Sequence, residues 1–167
     1  MSILYQELAE RIRGEVPDLE RVVHRALRAW SQAQASPGEQ AYLDSVALNL
    51  HSFYSGLERL FELVARHVDH TVLDSAAWHR DLLQQMTRDL EDVRPAVIAQ
   101  DSDLALDEFR RFRHLVRNVY TMNLVPGKMT GLMSALPELW PGLRAELLAF
   151  ADFLEDLGRT SQVGEQR

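Results

Sequence analysis

The sequence predicts an all-α fold, an antiparallel bundle of about five helices. Apolar residues recur at three- and four-residue steps along most of the chain, no stretch alternates apolar and polar residues as a half-buried strand would, and no internal repeat stands out. With 167 residues, 46% of them hydrophobic, the chain has the length of one domain and enough apolar mass for one core, so no second domain is expected.

The first helix is expected over residues 3–35, where Leu8, Ile12, Val16, Leu19, Val23, Ala26 and Trp30 form a stripe. Pro17 falls inside it, and because the stripe keeps its phase across the proline, a bent but continuous face is expected. Ser36-Pro-Gly-Glu39 combines a capping serine, a proline at the first helical position and a glutamate at the capping-box position, which predicts the start of the second helix. Its stripe of Leu43, Val46, Leu50, Phe53, Leu57, Leu60, Phe61 and Val64 runs to Val68. Residues 69–74 read as a connection, after which Ser75 offers a cap to a third helix bearing Trp78, Leu82, Met86 and Leu90, ended or bent by Pro95. A fourth helix is expected to start near Asp101 or Ser102 and to bury Leu106, Phe109, Phe112, Val116 and Val119 before the chain turns at 122–127. The last helical region holds Met129, Leu132, Leu136, Leu139, Leu143, Leu147, Phe150 and Leu154, with Pro137 and Pro141 bending or dividing it. The bundle is assigned to residues 1–158, and the polar stretch 159–167 is expected to form a disordered tail.

Composition narrows the chemistry. There is no cysteine, which excludes disulfides, thiolate metal sites and a cysteine nucleophile, and fits a cytoplasmic location. No apolar run approaches the roughly 18 residues of a membrane-spanning helix, so no membrane association is expected. The formal charge of −7 gives no global field attracting nucleic acid, so any such contact must be local. Lys128 is the only lysine; the remaining basic charge is arginine, which favours fixed, bidentate anion contacts but equally follows from base composition.

That basic charge concentrates in residues 104–120. Phe109, Phe112, Val116 and Val119 share one helical face, while Arg110, Arg113, His114 and Arg117 form a stripe on another, with Arg111 nearby and Tyr120 at the border. Such a stripe can grip a phosphate backbone. It can equally be a solvated face neutralised by Asp101, Asp103, Asp107, Glu108 and carboxylates of neighbouring helices.

Several stretches bear on this choice: Phe53-Tyr-Ser-Gly-Leu-Glu58, Trp78-His-Arg-Asp-Leu-Leu83, Arg94-Pro-Ala-Val97, Phe109-Arg-Arg-Phe-Arg-His114 and Leu136-Pro-Glu-Leu-Trp-Pro141. Together they resemble the HepT-like branch of the HEPN superfamily, small helical proteins of bacteria and archaea. The resemblance implies a HEPN bundle, usually a homodimer. Its motif is an arginine, four to six further residues and a histidine, often followed two positions later by tyrosine. Active members are metal-independent ribonucleases, so neither a metal nor a cofactor is expected. The pattern puts its arginine at Arg113, the polar residue after it at His114 and its tyrosine at Tyr120, while Asn118 stands where the histidine belongs.

The implied function is the toxin of a toxin–antitoxin pair: an RNA endonuclease, weakened by Asn118, with Arg113, His114 and Asn118 as its catalytic set and Arg110 and Arg117 contacting RNA. Its partner would be a minimal nucleotidyltransferase antitoxin, which in some systems adds AMP groups to the motif tyrosine, here Tyr120. A non-catalytic interaction module that binds a nucleotidyltransferase through the same face is the alternative. Cleavage of RNA through its own 2′-hydroxyl requires proton transfer, and an amide cannot titrate, so Asn118 cannot be the base. Arg113 can still stabilise charge on phosphate, Asn118 can hydrogen-bond it, and His114 is the candidate to move the proton. Five residues of ideal helix rotate by about 140°, so Arg113 and Asn118 do not converge unaided, whereas two helices facing each other across a dimer would solve the problem.

Other candidates are weaker. His67, Asp69, His70 and His79 could collect a divalent metal, but their spacing matches no metal signature. His24 and His51 read as surface or boundary residues, and Gly127-Lys-Met-Thr130 lacks the glycine-rich lead and strand of a phosphate-binding loop. Trp30, Trp78 and Trp140 are too widely spaced for a base-stacking platform and read as core or interface anchors.

Overall fold

The computed structural model describes residues 2–118 and 126–165. Five α-helices account for most of them: α1 (Ser2–Ala35), α2 (Gln40–His67), α3 (Trp78–Met86), α4 (Gln100–Asn118) and α5 (Thr130–Glu165), with a 3-10 turn at Pro126–Lys128. Among the described residues there is no strand, only an isolated bridge between Leu90 and Arg94. None of these helices is long and apolar enough to cross a membrane.

Periodicity in the sequence becomes burial in the fold. Leu8, Ile12, Val16, Leu19, Val23 and Ala26 of α1 are buried against Leu50, Phe53, Leu57, Leu60 and Val64 of α2 and Leu136, Leu143, Leu147 and Leu154 of α5, within one continuous core. Pro17 leaves α1 unbroken because its ring sits on the exposed side, where water can take the carbonyl that lacks its helical donor. The same holds for Pro137 and Pro141, so α5 is one helix and not two.

Polar pairs set the direction of α5 against α1. Arg13 reaches Asp152 at 2.7 Å and Glu155 at 2.6 Å, and Trp140 Nε1 donates to Glu20 Oε1 at 3.3 Å, so early α1 meets late α5 and the two run antiparallel. α2 is also antiparallel to α1: Leu19 packs at Gly56, where a Cβ would come within 2.9 Å of its Cδ2, while Leu8 lies beside Leu63 and His67.

Three sequence expectations require correction. Ser36-Pro-Gly-Glu39 is not a helical cap but a turn, closed by the Glu39 amide donating to Ser36 O at 3.0 Å; Glu39 is the N-cap of α2 and makes no side-chain capping bond. Proline and glycine suit that turn as well as they suit a helix start, so composition alone cannot separate the two. The third helix starts after Ala77 and ends at Met86, short of Leu90; the Ser75 hydroxyl donates to Asp81 Oδ2 at 2.9 Å and caps no backbone amide. Its end is enforced by the returning chain, whose Val97 and Ile98 amides bond to Met86 O at 2.8 and 3.2 Å. Finally, α5 continues through Glu165, replacing the disordered tail expected from residue 159; the Thr160 and Ser161 hydroxyls bond back to Asp156 O and Leu157 O.

The segment between α2 and α4 is held by one buried ion pair. Arg94 Nε donates to Asp69 Oδ1 at 2.6 Å and Nη2 to Oδ2 at 2.7 Å, with both side chains fully buried. The remaining guanidinium donors reach the carbonyls of Arg88, Pro95 and Gln85, and Gln85 Nε2 also donates to Asp69. A bidentate buried pair survives desolvation only with this degree of hydrogen bonding.

Candidate nucleic-acid interface

α4 is fixed in rotation by its apolar face. Leu106, Phe109 and Phe112 are buried, and the Phe109 ring meets Phe53 of α2 edge-on at 5.6 Å between centroids. That orientation decides where the arginines go.

They do not share one fate. Arg110 Nε donates to Asp107 Oδ1 at 2.8 Å, and Arg111 reaches Asp107 at 3.0 Å and Glu108 at 3.6 Å, so both are paired within their own helix. Arg113 instead turns toward α2, with 15% of its side chain exposed. Its Nε donates to Ser55 Oγ at 2.9 Å and its Nη1 lies 3.4 Å from Glu58 Oε1. Arg117 and His114 are exposed, and Arg117 stands in the last turn of α4, where the carbonyl end of the helix favours a cation. Asn118 is the last residue of α4; Val119 and Tyr120 lie outside the described residues.

Glu58 is the hub beneath Arg113. It is 4% exposed, and while Oε1 faces Arg113, Oε2 pairs with His79 Nδ1 of α3 at 2.8 Å. One carboxylate thus ties α2, α3 and α4 together. Tyr54, buried one turn before it, has its phenol pushed well above the ordinary value by burial and then by the Glu58 charge, which keeps it protonated.

His51 completes the cluster. It lies four residues before Ser55 on α2 and is half-buried. Burial, then Arg113, then Arg117 hold its imidazole below the ordinary value, so it is neutral at neutral pH. The structure therefore brings Arg113 together with Ser55 and Glu58, with His51 in electrostatic reach of both Arg113 and Arg117, and leaves Arg110 in a local pair.

Sequence reasoning found Arg113 but assigned no role to Ser55 or Glu58 and read His51 as a boundary residue. A signal was present: Glu58 stands four residues after Tyr54 and three before Phe61, an acid on a core-facing stripe that needs a cationic partner. The metal cluster considered around His67 does not form, since Asp69 is committed to Arg94 and His79 to Glu58. Among the described residues no group of three or more acidic or histidine side chains could hold an ion.

An all-α bundle whose basic helix anchors its central arginine in a neighbouring helix defines the class of fold and site. A model of the HepT-like protein family matches residues 45–154, and the chain belongs to that family, within the HEPN superfamily. The match takes in His51, Ser55, Glu58 and Arg113 and leaves out the whole of α1, the turn after it, the start of α2 and the end of α5. No curated protein and no solved structure matches the chain.

Proposed function

We propose that this HepT-like protein is the toxin of a toxin–antitoxin pair, a metal-independent RNA endonuclease that acts as a homodimer and is silenced by a minimal nucleotidyltransferase. The observation that carries this reading is Arg113, a guanidinium fixed by Ser55 and Glu58 and not left to pair freely at the surface. A cation held in place is suited to stabilising charge that develops on a phosphate, because it needs no reorganisation during the reaction. Arg117 extends the positive edge toward solvent, with His114 exposed beside it, and Arg110 contributes to RNA contact to the extent that Asp107 releases it. Asn118 at the motif histidine position weakens the enzyme, and Tyr120 is the position for AMP addition by the partner.

Incubating the purified protein with RNA in EDTA tests the reading. Cleavage is expected, lost in Arg113→Ala and raised in Asn118→His; intact RNA together with no RNA affinity at low salt would refute it. One observation favours a second reading, a non-catalytic module binding a nucleotidyltransferase: Arg110, Arg111 and Arg113 each already face a carboxylate of their own chain. That reading predicts a tight protein complex without RNA turnover.

A further inference from the structure

We propose that His51 is the proton acceptor of this ribonuclease, doing from α2 what Asn118 cannot do from α4. The inference rests on the ribonuclease reading above and names the residue that makes it chemically complete.

Geometry carries the argument. His51 and Ser55 are four residues apart and so share a face of α2, and Ser55 is the group to which Arg113 Nε is bonded at 2.9 Å. An imidazole one turn from that anchor is within electrostatic reach of the guanidinium that would hold the scissile phosphate. The charged groups acting on His51 across the α2–α4 contact are Arg113 and Arg117, and no carboxylate is among the groups that perturb it. Burial and both arginines therefore act in the same sense, leaving the ring uncharged and its lone pair available. His114 is placed differently: it is exposed, and adjacent residues on a helix point about 100° apart, so it does not face the phosphate position that Arg113 and His51 would share.

The step balances without any further reactant. His51 takes the proton of a ribose 2′-hydroxyl as the 2′-oxygen forms its bond to phosphorus. The bond from phosphorus to the 5′-oxygen breaks, and that oxygen leaves with a proton from water. The products are a 2′,3′-cyclic phosphate and a 5′-hydroxyl, and the imidazolium returns its proton to solvent. Arg113 and Arg117 offset the charge that accumulates on the phosphoryl oxygens in between.

The test compares wild type, His51→Gln and His114→Gln cleaving RNA in EDTA across pH, with affinity read separately on a 2′-deoxy oligonucleotide of the same sequence. His51→Gln is expected to lose about 10²-fold or more in cleavage rate, to keep its affinity for the deoxy ligand, and to lose the acid limb of the pH–rate profile, which His114→Gln retains. Wild-type rates in His51→Gln, or loss of the limb in His114→Gln instead, would overturn this inference while leaving the ribonuclease reading intact. No cleavage by wild type would remove both. Should His51→Gln fold poorly, the wild-type protein still decides: its His51 ring resonance should titrate below free histidine and move upward when the deoxy oligonucleotide binds. A resonance indifferent to the ligand would exclude the role.

Discussion

Glu58 illustrates how a single side chain can decide what a helix face is for. Its two oxygens serve Arg113 and His79, and with 6% side-chain exposure it has little recourse to water if either partner is lost. Glu58→Leu removes the carboxylate while leaving the Arg113 guanidinium and the His79 ring partly buried without it, and a loss of about 2–3 kcal/mol in urea denaturation is expected. Glu58→Gln keeps the shape and part of the hydrogen bonding, and a loss of about 1 kcal/mol is expected. Equal stability of Glu58→Leu and wild type would show that the carboxylate is incidental. At this scale the sequence was only half legible. Arg113 stood out because arginines cluster in an acidic chain, but its partners come from a helix separated from it by tens of residues, and a one-dimensional pattern does not report which remote hydroxyl and carboxylate a guanidinium will meet.

Helices were the most legible feature, because periodic burial is a property of the segment itself. The stripes of α1, α2 and α5 were readable across three internal prolines since each proline falls on the wet side of its helix. α3 was overextended for a reason that lies outside it: Leu90 keeps the stripe's phase, but the amides of Val97 and Ile98 occupy the last carbonyl of the helix. The glycines offer an element-scale test. Gly14 in α1 has open space where a Cβ would go, so Gly14→Ala should stabilise the protein by about 1 kcal/mol through helix propensity alone, read as a raised melting temperature. Gly56→Ala should gain less or lose, because Leu19 Cδ2 must move from 2.9 Å. The same change in both would imply that α1 and α2 are less closely packed than described.

For the whole molecule, charge and pH act through a few buried groups. Burial raises the Glu146 carboxyl against the pull of the Ser102 hydroxyl and the Ala99 amide, and burial with Asp107 raises Asp103 against Arg80. A carboxyl raised on folding contributes stability that is complete below its unfolded value and is lost as pH climbs through its folded value. His51 has the opposite sign: depressed on folding, it contributes stability above the ordinary imidazole value that is lost as pH falls through its own. Glu146 Oε2 is also buried without a hydrogen-bond partner, so Glu146→Gln should gain on wild type as pH rises from the ordinary carboxyl value through the raised one, and hold level above it. A pH-independent difference in melting temperature between the two would contradict this. The net charge of −7 forecast none of it, since a sum over residues does not say which carboxylates are desolvated.

The Asp69–Arg94 pair has a consequence for how the molecule comes apart. The stretch it brackets is poor in regular structure and carries side chains as open as Val72, which is 80% exposed, and by those marks it should be where proteases enter first. Yet its ends are pinned by charges that cannot be separated without exposing both, so nicking there must await rupture of a bond seated in the interior. A region that resembles a vulnerable loop from outside is thereby made to wait for the rest.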